Sequence, residues 1–204
     1  MRRKTFDAMV ATTGLIIAAV LVLAGTMLSW GSSFANDSIK SQLVAQKISF
    51  PDAAAIAKAN DPEITKYVTP YAGQQVVTGQ QAEVFADHYI GVHLKAVANG
   101  QTYSEVSGSY IALSKTNPKD PALATLGSQR QTLFMGETLR GLLLNAYAFG
   151  KVASIAGTAA IVAFVLGAIM LLLSLLGYRH LRHVPVEQEV LSRKSTHKKV
   201  LAHA

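Results

Sequence analysis

His88 and His93 lie in a stretch that also holds Glu83 and Asp87, and imidazoles among carboxylates are the groups that bind metals or move protons. Their spacing decides what they can do. On a helix, residues five apart differ by about 140° in azimuth, so the two imidazoles do not face one ion as an i, i+4 pair does. Glu83 and Asp87 do share a helix face and offer oxygens to a hard cation. Calcium takes roughly six to eight oxygen ligands, however, and a solvated acidic edge is the simpler reading. Glu137 and Arg140, three apart, read as an ordinary helix-surface pair. Asp87 and His88 can be joined with a serine on paper as a hydrolase triad, but the chain carries no G-x-S-x-G elbow. Nor does it carry a glycine-rich phosphate loop or a dinucleotide fingerprint. With no cysteine, thiolate nucleophiles, thiolate metal sites and disulfides are excluded. The residues assign no catalytic set, no metal site and no cofactor.

The elements that would carry these side chains read as helices. Asn36 or Asp37 is placed to cap a short helix ending near Lys47. Pro51 breaks the chain and opens another short helix through Lys58, and Asn60-Asp61-Pro62-Glu63 starts a third. Thr78-Gly79-Gln80-Gln81 and Thr102-Tyr103-Ser104-Glu105 have the form of capping boxes. The first predicts a helix to about Ala98 with Phe85, Tyr89, Val92 and Ala96 on its buried stripe. The second predicts one towards Ser114 with Val106, Tyr110 and Leu113 inward. After the Asn117–Pro121 loop, a helical pattern through Leu126, Leu133, Leu139 and Leu143 runs on without a stop. No alternating strand pattern of useful length occurs.

Two uncharged runs frame this segment. Residues 8–30 and 151–178, the latter charged only at its first position, are long enough to cross a hydrocarbon layer of about 30 Å as helices. Only 15% of the chain is charged, against roughly 25% in soluble proteins, and the apolar excess sits in these blocks. Arg2, Arg3 and Lys4 precede the first run. Six basic against two acidic residues follow the second, while the middle segment, counted from Ser32 to Lys151, is nearly balanced at ten against nine. Basic flanks on both outer sides place both termini in the cytoplasm. The expected architecture is an all-α membrane protein. It has an N-terminal stub (1–7), a first transmembrane helix (8–30), a small extracytoplasmic helical domain (31–150), a second transmembrane helix (151–178) and a basic cytoplasmic tail (179–204). A cleavable signal sequence ending at Ser33-Phe34-Ala35 is the alternative for the first run, but that run exceeds the 7–15 residues of a typical signal core.

Apart from Lys151 at its edge, neither run contains Asp, Glu, Lys, Arg or His, which argues against proton relays, ion pathways and voltage sensing. Instead, small residues recur at four-residue spacing: Gly14 with Ala18, Ala153 with Gly157, Ala163 with Gly167. Such pairs let helices approach closely, either between the two runs, between copies of the chain, or with another membrane subunit. Arg2, Arg3, Lys4, Arg179 and Arg182 are placed to meet anionic lipid headgroups, at about 1 kcal/mol each. The bilayer is thus the expected partner, and a nucleic acid is not.

Several segments carry a family likeness. They are Tyr71-Ala72-Gly73-Gln74-Gln75, Ala86-Asp87-His88-Tyr89 with His93-Leu94, and Phe134-Met135-Gly136-Glu137-Thr138-Leu139-Arg140-Gly141. Through them the chain resembles a group of uncharacterised actinobacterial membrane proteins with two spans, often labelled aromatic ring-opening dioxygenase of the LigA type. The resemblance implies the two-span architecture and plasma-membrane location. The label implies a non-haem iron site, commonly two His and one carboxylate. The candidate set here is His88, His93 and a carboxylate, with the helical spacing described above. The functional expectation is a non-enzymatic accessory or interaction protein of the cell envelope. A sensor working through a separate signalling partner and the metal-dependent dioxygenase of the label are the alternatives.

Overall fold

The computed structural model describes residues 3–183, so Arg2 and the tail beyond His183 lie outside the described residues. Every regular element among them is helical: α1 (Arg3–Gln46), α2 (Ala53–Ala59), α3 (Pro62–Val68), α4 (Gly79–Phe85), α5 (Gly91–Val97), α6 (Tyr103–Thr116) and α7 (Ala122–Leu181). A 3-10 turn follows α3 at Thr69–Tyr71, and a π-helical turn, Ala86–Ile90, joins α4 to α5. Among the described residues the one β feature is an isolated bridge between Ser49 and Gln75.

The chain divides into two compact units, residues 1–29 with 158–204, and Trp30–Gly157. In the first, α1 and α7 pack antiparallel. Cβ atoms built on the glycines fix the register: Gly177 meets Ala11, Gly14 meets Ser174, Gly167 meets Leu21 and Val22, and Gly25 meets Phe164. The buried positions on α1 are Ala11, Gly14, Ala18 and Gly25, with Leu21 half-buried between. On α7 they are Ala160, Ala163, Gly167, Ser174 and Leu181. These advance by steps of three, four and seven, the 3.5-residue repeat that winds two helices around each other. Small residues at those positions let the backbones close up, and dispersion contacts then hold the pair. The outer faces are apolar and exposed, with Leu23, Ile16, Leu172 and Leu176 open over half or more of their surface.

The second unit, Trp30–Gly157, has a conventional core. Ile39 and Leu43 of α1, Ile56 of α2, Ile64 and Val68 of α3, Val84 and Phe85 of α4 and Leu143 of α7 are buried together. Each fully buried aliphatic side chain contributes about 1.5–3 kcal/mol. Phe50 stacks on Tyr71 and meets Phe85 edge-on. Its N–H donates to the Gln74 carbonyl at 2.8 Å, while Val76 donates to Ile48 at 2.9 Å. This clip ties the linker after α1 to the linker before α4. A second cluster forms around Leu94, Ala98, Val106 and Leu133, where α5 and α6 meet α7.

Four expectations need correction. No helix starts at Asn36 or Asp37, because α1 runs unbroken to Gln46; its inward residues Ile39 and Leu43 keep the helical face going. The α2 helix is capped by Asp52, whose carboxylate accepts from the Ala55 N–H at 2.7 Å, so it opens one turn position after Pro51. The helix after Thr102 reaches Thr116 rather than Ser114. The stripe after Thr78 also changes phase. Phe85, Tyr89 and Val92 pack on the core as expected, but beyond them Leu94 and Ala98 are the buried positions and Ala96 is exposed. The π turn explains it: a wider turn takes up one extra residue and rotates everything after it.

Candidate functional site

The π turn sits where the charged side chains of the second unit gather. It aims two consecutive residues, Asp87 and His88, at two different helices. Asp87 Oδ1 accepts from both Nε and Nη2 of Arg140 on α7, at 3.1 and 2.9 Å. Nη1 of the same guanidinium donates to Glu137 Oε2 at 3.0 Å. Gly91, one turn on, lies beside the guanidinium: a Cβ there would stand at an ordinary contact distance, 3.5 Å, from Arg140 Nε. Burial pulls the Arg140 pKa down, but the Asp87 hydrogen bond and the two carboxylate charges outweigh it and hold the pKa above its ordinary value. Because a third of each partner is exposed, water screens the pair, and its worth is on the order of 1 kcal/mol.

His88 points the other way, to α3. Its Nδ1 lies 3.0 Å from Glu63 Oε1, and its ring stacks on Tyr67 with centroids 3.8 Å apart. Asp61 sets the start of that helix, accepting from the Glu63 and Ile64 N–H groups. His93 turns back on its own helix, Nδ1 lying 2.7 Å from the Tyr89 carbonyl. Glu83 accepts from Gln80 at 3.2 Å. The two histidines therefore serve separate neighbours, and Glu83 and Asp87 do not converge. Among the described residues no three His, Asp or Glu side chains gather as metal ligands do. The donor set that an iron-dependent ring-opening reaction asks for is not met by His88 and His93.

Between these helices lies a charged cavity of about 320 Å³, lined in part by Glu63, Asp87, Lys95, Glu137 and Arg140. Chemically the arrangement is a clamp: adjacent residues of one π turn are pinned to α3 and to α7. Sequence reading found the Glu137–Arg140 pair but missed Asp87–Arg140 and Glu63–His88, which join residues 53 and 25 positions apart. No local spacing signals such partners.

Two capping boxes hold the ends of the neighbouring helices. Gln81 Oε1 accepts from the N–H groups of Val77 and Thr78, and the Thr78 hydroxyl accepts from the Gln81 N–H. Glu105 accepts from the Thr102 N–H at 2.7 Å and from its hydroxyl at 2.8 Å. Those bonds, the backbone one first, hold its pKa below the usual glutamate value. The Tyr103 phenol is likewise lowered, chiefly by its bond with Arg130 and then by Ser107.

The small residues singled out by spacing lie on helix seams. Gly14, Ala18, Ala163 and Gly167 are buried between α1 and α7 in the first unit, where a Cβ on Gly167 would come within 3.5 Å of the Ala18 carbonyl. Ala153 and Gly157 belong to the second unit: the Ser32 hydroxyl donates to the Ala153 carbonyl at 2.7 Å, and a Cβ on Gly157 would meet Ser32 Oγ at 3.0 Å. Arg3, Lys4, Arg179 and Arg182 are exposed, with Arg3 Nε 3.8 Å from Asp7. A second opening in the Trp30–Gly157 unit, about 580 Å³, is mainly apolar and bordered by Phe34, Leu142 and Phe149. Compared with protein-family models, curated proteins and solved structures, the chain matches none.

Proposed function

We propose that this chain is a two-span plasma-membrane protein, with both termini cytoplasmic, whose Trp30–Gly157 unit acts outside as a non-enzymatic interaction module of the cell envelope. One observation carries the membrane part. The most apolar stretches of α1 and α7 are only 22% buried within the chain itself. A soluble core helix of that composition hides most of its surface, and an apolar face left this uncovered suits contact with lipid. The seam between the helices supports an anchor rather than a conduit. It is filled by alanine and glycine, and its one buried polar side chain, Ser174, donates to the Met170 carbonyl at 2.8 Å. The unbroken course of α1 through Ser33-Phe34-Ala35 supports retention of the first span, since α1 continues into the core residues Ile39 and Leu43. The interaction role rests on the clamp around the π turn, where Asp87 with Arg140 and His88 with Glu63 brace the neighbouring helices.

Membrane fractions washed at alkaline pH test the first half; the chain stays with the lipid if the reading holds. Mild-detergent purification with mass spectrometry tests the second, which predicts a stoichiometric membrane partner or a defined homo-oligomer. A purified, folded chain that turns over a substrate defeats the non-enzymatic reading.

The sensor reading draws on a different observation. The α7 helix is one element of 60 residues that contributes to both units. Such a helix is suited to carrying a displacement of the outer domain to the cytoplasmic end and so to a separate signalling partner. Deleting the tail beyond His183 with every partner contact unchanged would sink that reading.

A further inference from the structure

We infer that the cytoplasmic end of the helix pair holds one anionic phospholipid in a built groove, with an acyl chain between α1 and α7 and its phosphate at Arg3 and His180; the inference rests on the membrane reading above. The groove has a volume of about 490 Å³ and lies wholly within the first unit. Arg3, Asp7 and His180 border one end. Val10 and Leu173 form walls, and Gly14 and Met170 lie at the other end. Ala11 and Gly177, two of the small residues of the seam, line it between the walls.

Length and charge identify the occupant. From Arg3 to Gly14 the helix advances roughly 16 Å at 1.5 Å per residue, and Met170 to His180 gives roughly 15 Å. One leaflet of a hydrocarbon layer about 30 Å thick is about 15 Å deep. With residues 1–7 and those after 178 outside the hydrocarbon, roughly 9–12 Å of the groove (Ala8 to Gly14, Met170 to Tyr178) lies within that leaflet, enough for the upper part of one acyl chain. Its mouth is cationic. Arg3 borders it beside one carboxylate, Asp7, 3.8 Å away, and Lys4, Arg179 and Arg182 are exposed at neighbouring positions of the chain. His180 adds an imidazole N–H. A zwitterionic headgroup gains little from this set, whereas a phosphodiester with no compensating amine gains about fivefold in affinity per cation. The apolar walls separate this site from diffuse attraction. Basic residues at any membrane surface enrich anionic lipid, but only a groove makes the enrichment depend on an uncharged side chain.

The test uses the full chain reconstituted in phosphatidylcholine vesicles containing chain-spin-labelled phosphatidylglycerol, with motionally restricted lipid read by electron paramagnetic resonance. Wild type is expected to restrict one phosphatidylglycerol per chain in preference to phosphatidylcholine. Arg3→Gln with His180→Gln should lower that preference by about fivefold or more. Val10→Trp fills the groove with every charge intact and should abolish it, while Leu172→Trp, on the exposed face, should leave it unchanged. A Val10→Trp variant that keeps the full preference overturns the site and leaves diffuse attraction as the cause. Flotation of the same samples separates the premises: a wild-type chain that fails to insert defeats the membrane reading and the site together. Insertion without any phosphatidylglycerol preference defeats the site alone.

Discussion

Gly79 opens α4 where that helix runs against α7, and replacing it with alanine should cost stability although alanine is the better helix former. A Cβ at Gly79 would stand 3.0 Å from the Ala146 carbonyl oxygen and 3.2 Å from Tyr147 Cα. Both are backbone atoms in the middle of a long helix, so neither can swing aside. Overpacking of this kind costs about 1–3 kcal/mol. The gain in helix propensity is at most about 1 kcal/mol, and less at a first helical position. The net expectation is a loss of about 1–2 kcal/mol, which for a unit of this size lowers the melting temperature by roughly 3–10 °C. Gly141 is the internal control. It lies on α7, and a Cβ there meets nothing within 4 Å. Gly141→Ala should therefore stabilise by about 0.5–1 kcal/mol. Thermal unfolding of both variants in the same detergent, followed by circular dichroism, gives the comparison. If Gly79→Ala is as stable as Gly141→Ala, the close approach of α4 to α7 is wrong.

Gln81→Leu keeps the volume of a nearly buried side chain but strands the N–H groups of Val77 and Thr78, and a loss of about 1–3 kcal/mol is expected in chemical denaturation. Glu105 contributes stability that is complete well above the ordinary glutamate value of 4.5 and disappears as pH falls through its lowered native value. Melting curves between about pH 5.5 and 3.5 should then fall more steeply for wild type than for Glu105→Gln, and parallel curves would remove the capping role. In the first unit, the Cβ positions of Leu21 and Gly167 are 3.4 Å apart, close to the span of a disulfide. Leu21→Cys with Gly167→Cys should cross-link within one chain under mild oxidation, seen as a faster-migrating monomer on a non-reducing gel. A dimer instead would mean that the small residues pair two copies.

The helical class and the two apolar runs were legible because each rests on local pattern: capping boxes at Thr78 and Thr102, a proline after Asp61, and long stretches without charge. The seam was half legible. Pairs at four-residue spacing pointed to Gly14, Ala18, Ala163 and Gly167, but the full repeat through Ala11, Leu21, Gly25, Ala160 and Ser174 emerges only once the antiparallel register is known. The charged clamp was hidden for a different reason. Arg140 finds Asp87, and His88 finds Glu63, across long stretches of chain, and the π turn that presents both residues has no sequence signature here. That same turn spoiled the expected stripe at Ala96, since a single extra residue rotates every later side chain. The α1 helix passed through Asn36 and Asp37 because burial of Ile39 and Leu43 outweighs the capping preference of two polar residues.

Absence of native cysteine makes the topology directly measurable, because every introduced thiol reports without background. Lys4→Cys, Lys119→Cys and Arg182→Cys, made singly and expressed in cells, can be labelled with a membrane-impermeant maleimide before and after permeabilisation. Two spans with both termini inside predict that Lys119→Cys labels in intact cells, while Lys4→Cys and Arg182→Cys label only once the membrane is opened. Labelling of Lys4→Cys or Arg182→Cys in intact cells, or protection of Lys119→Cys, would contradict that arrangement.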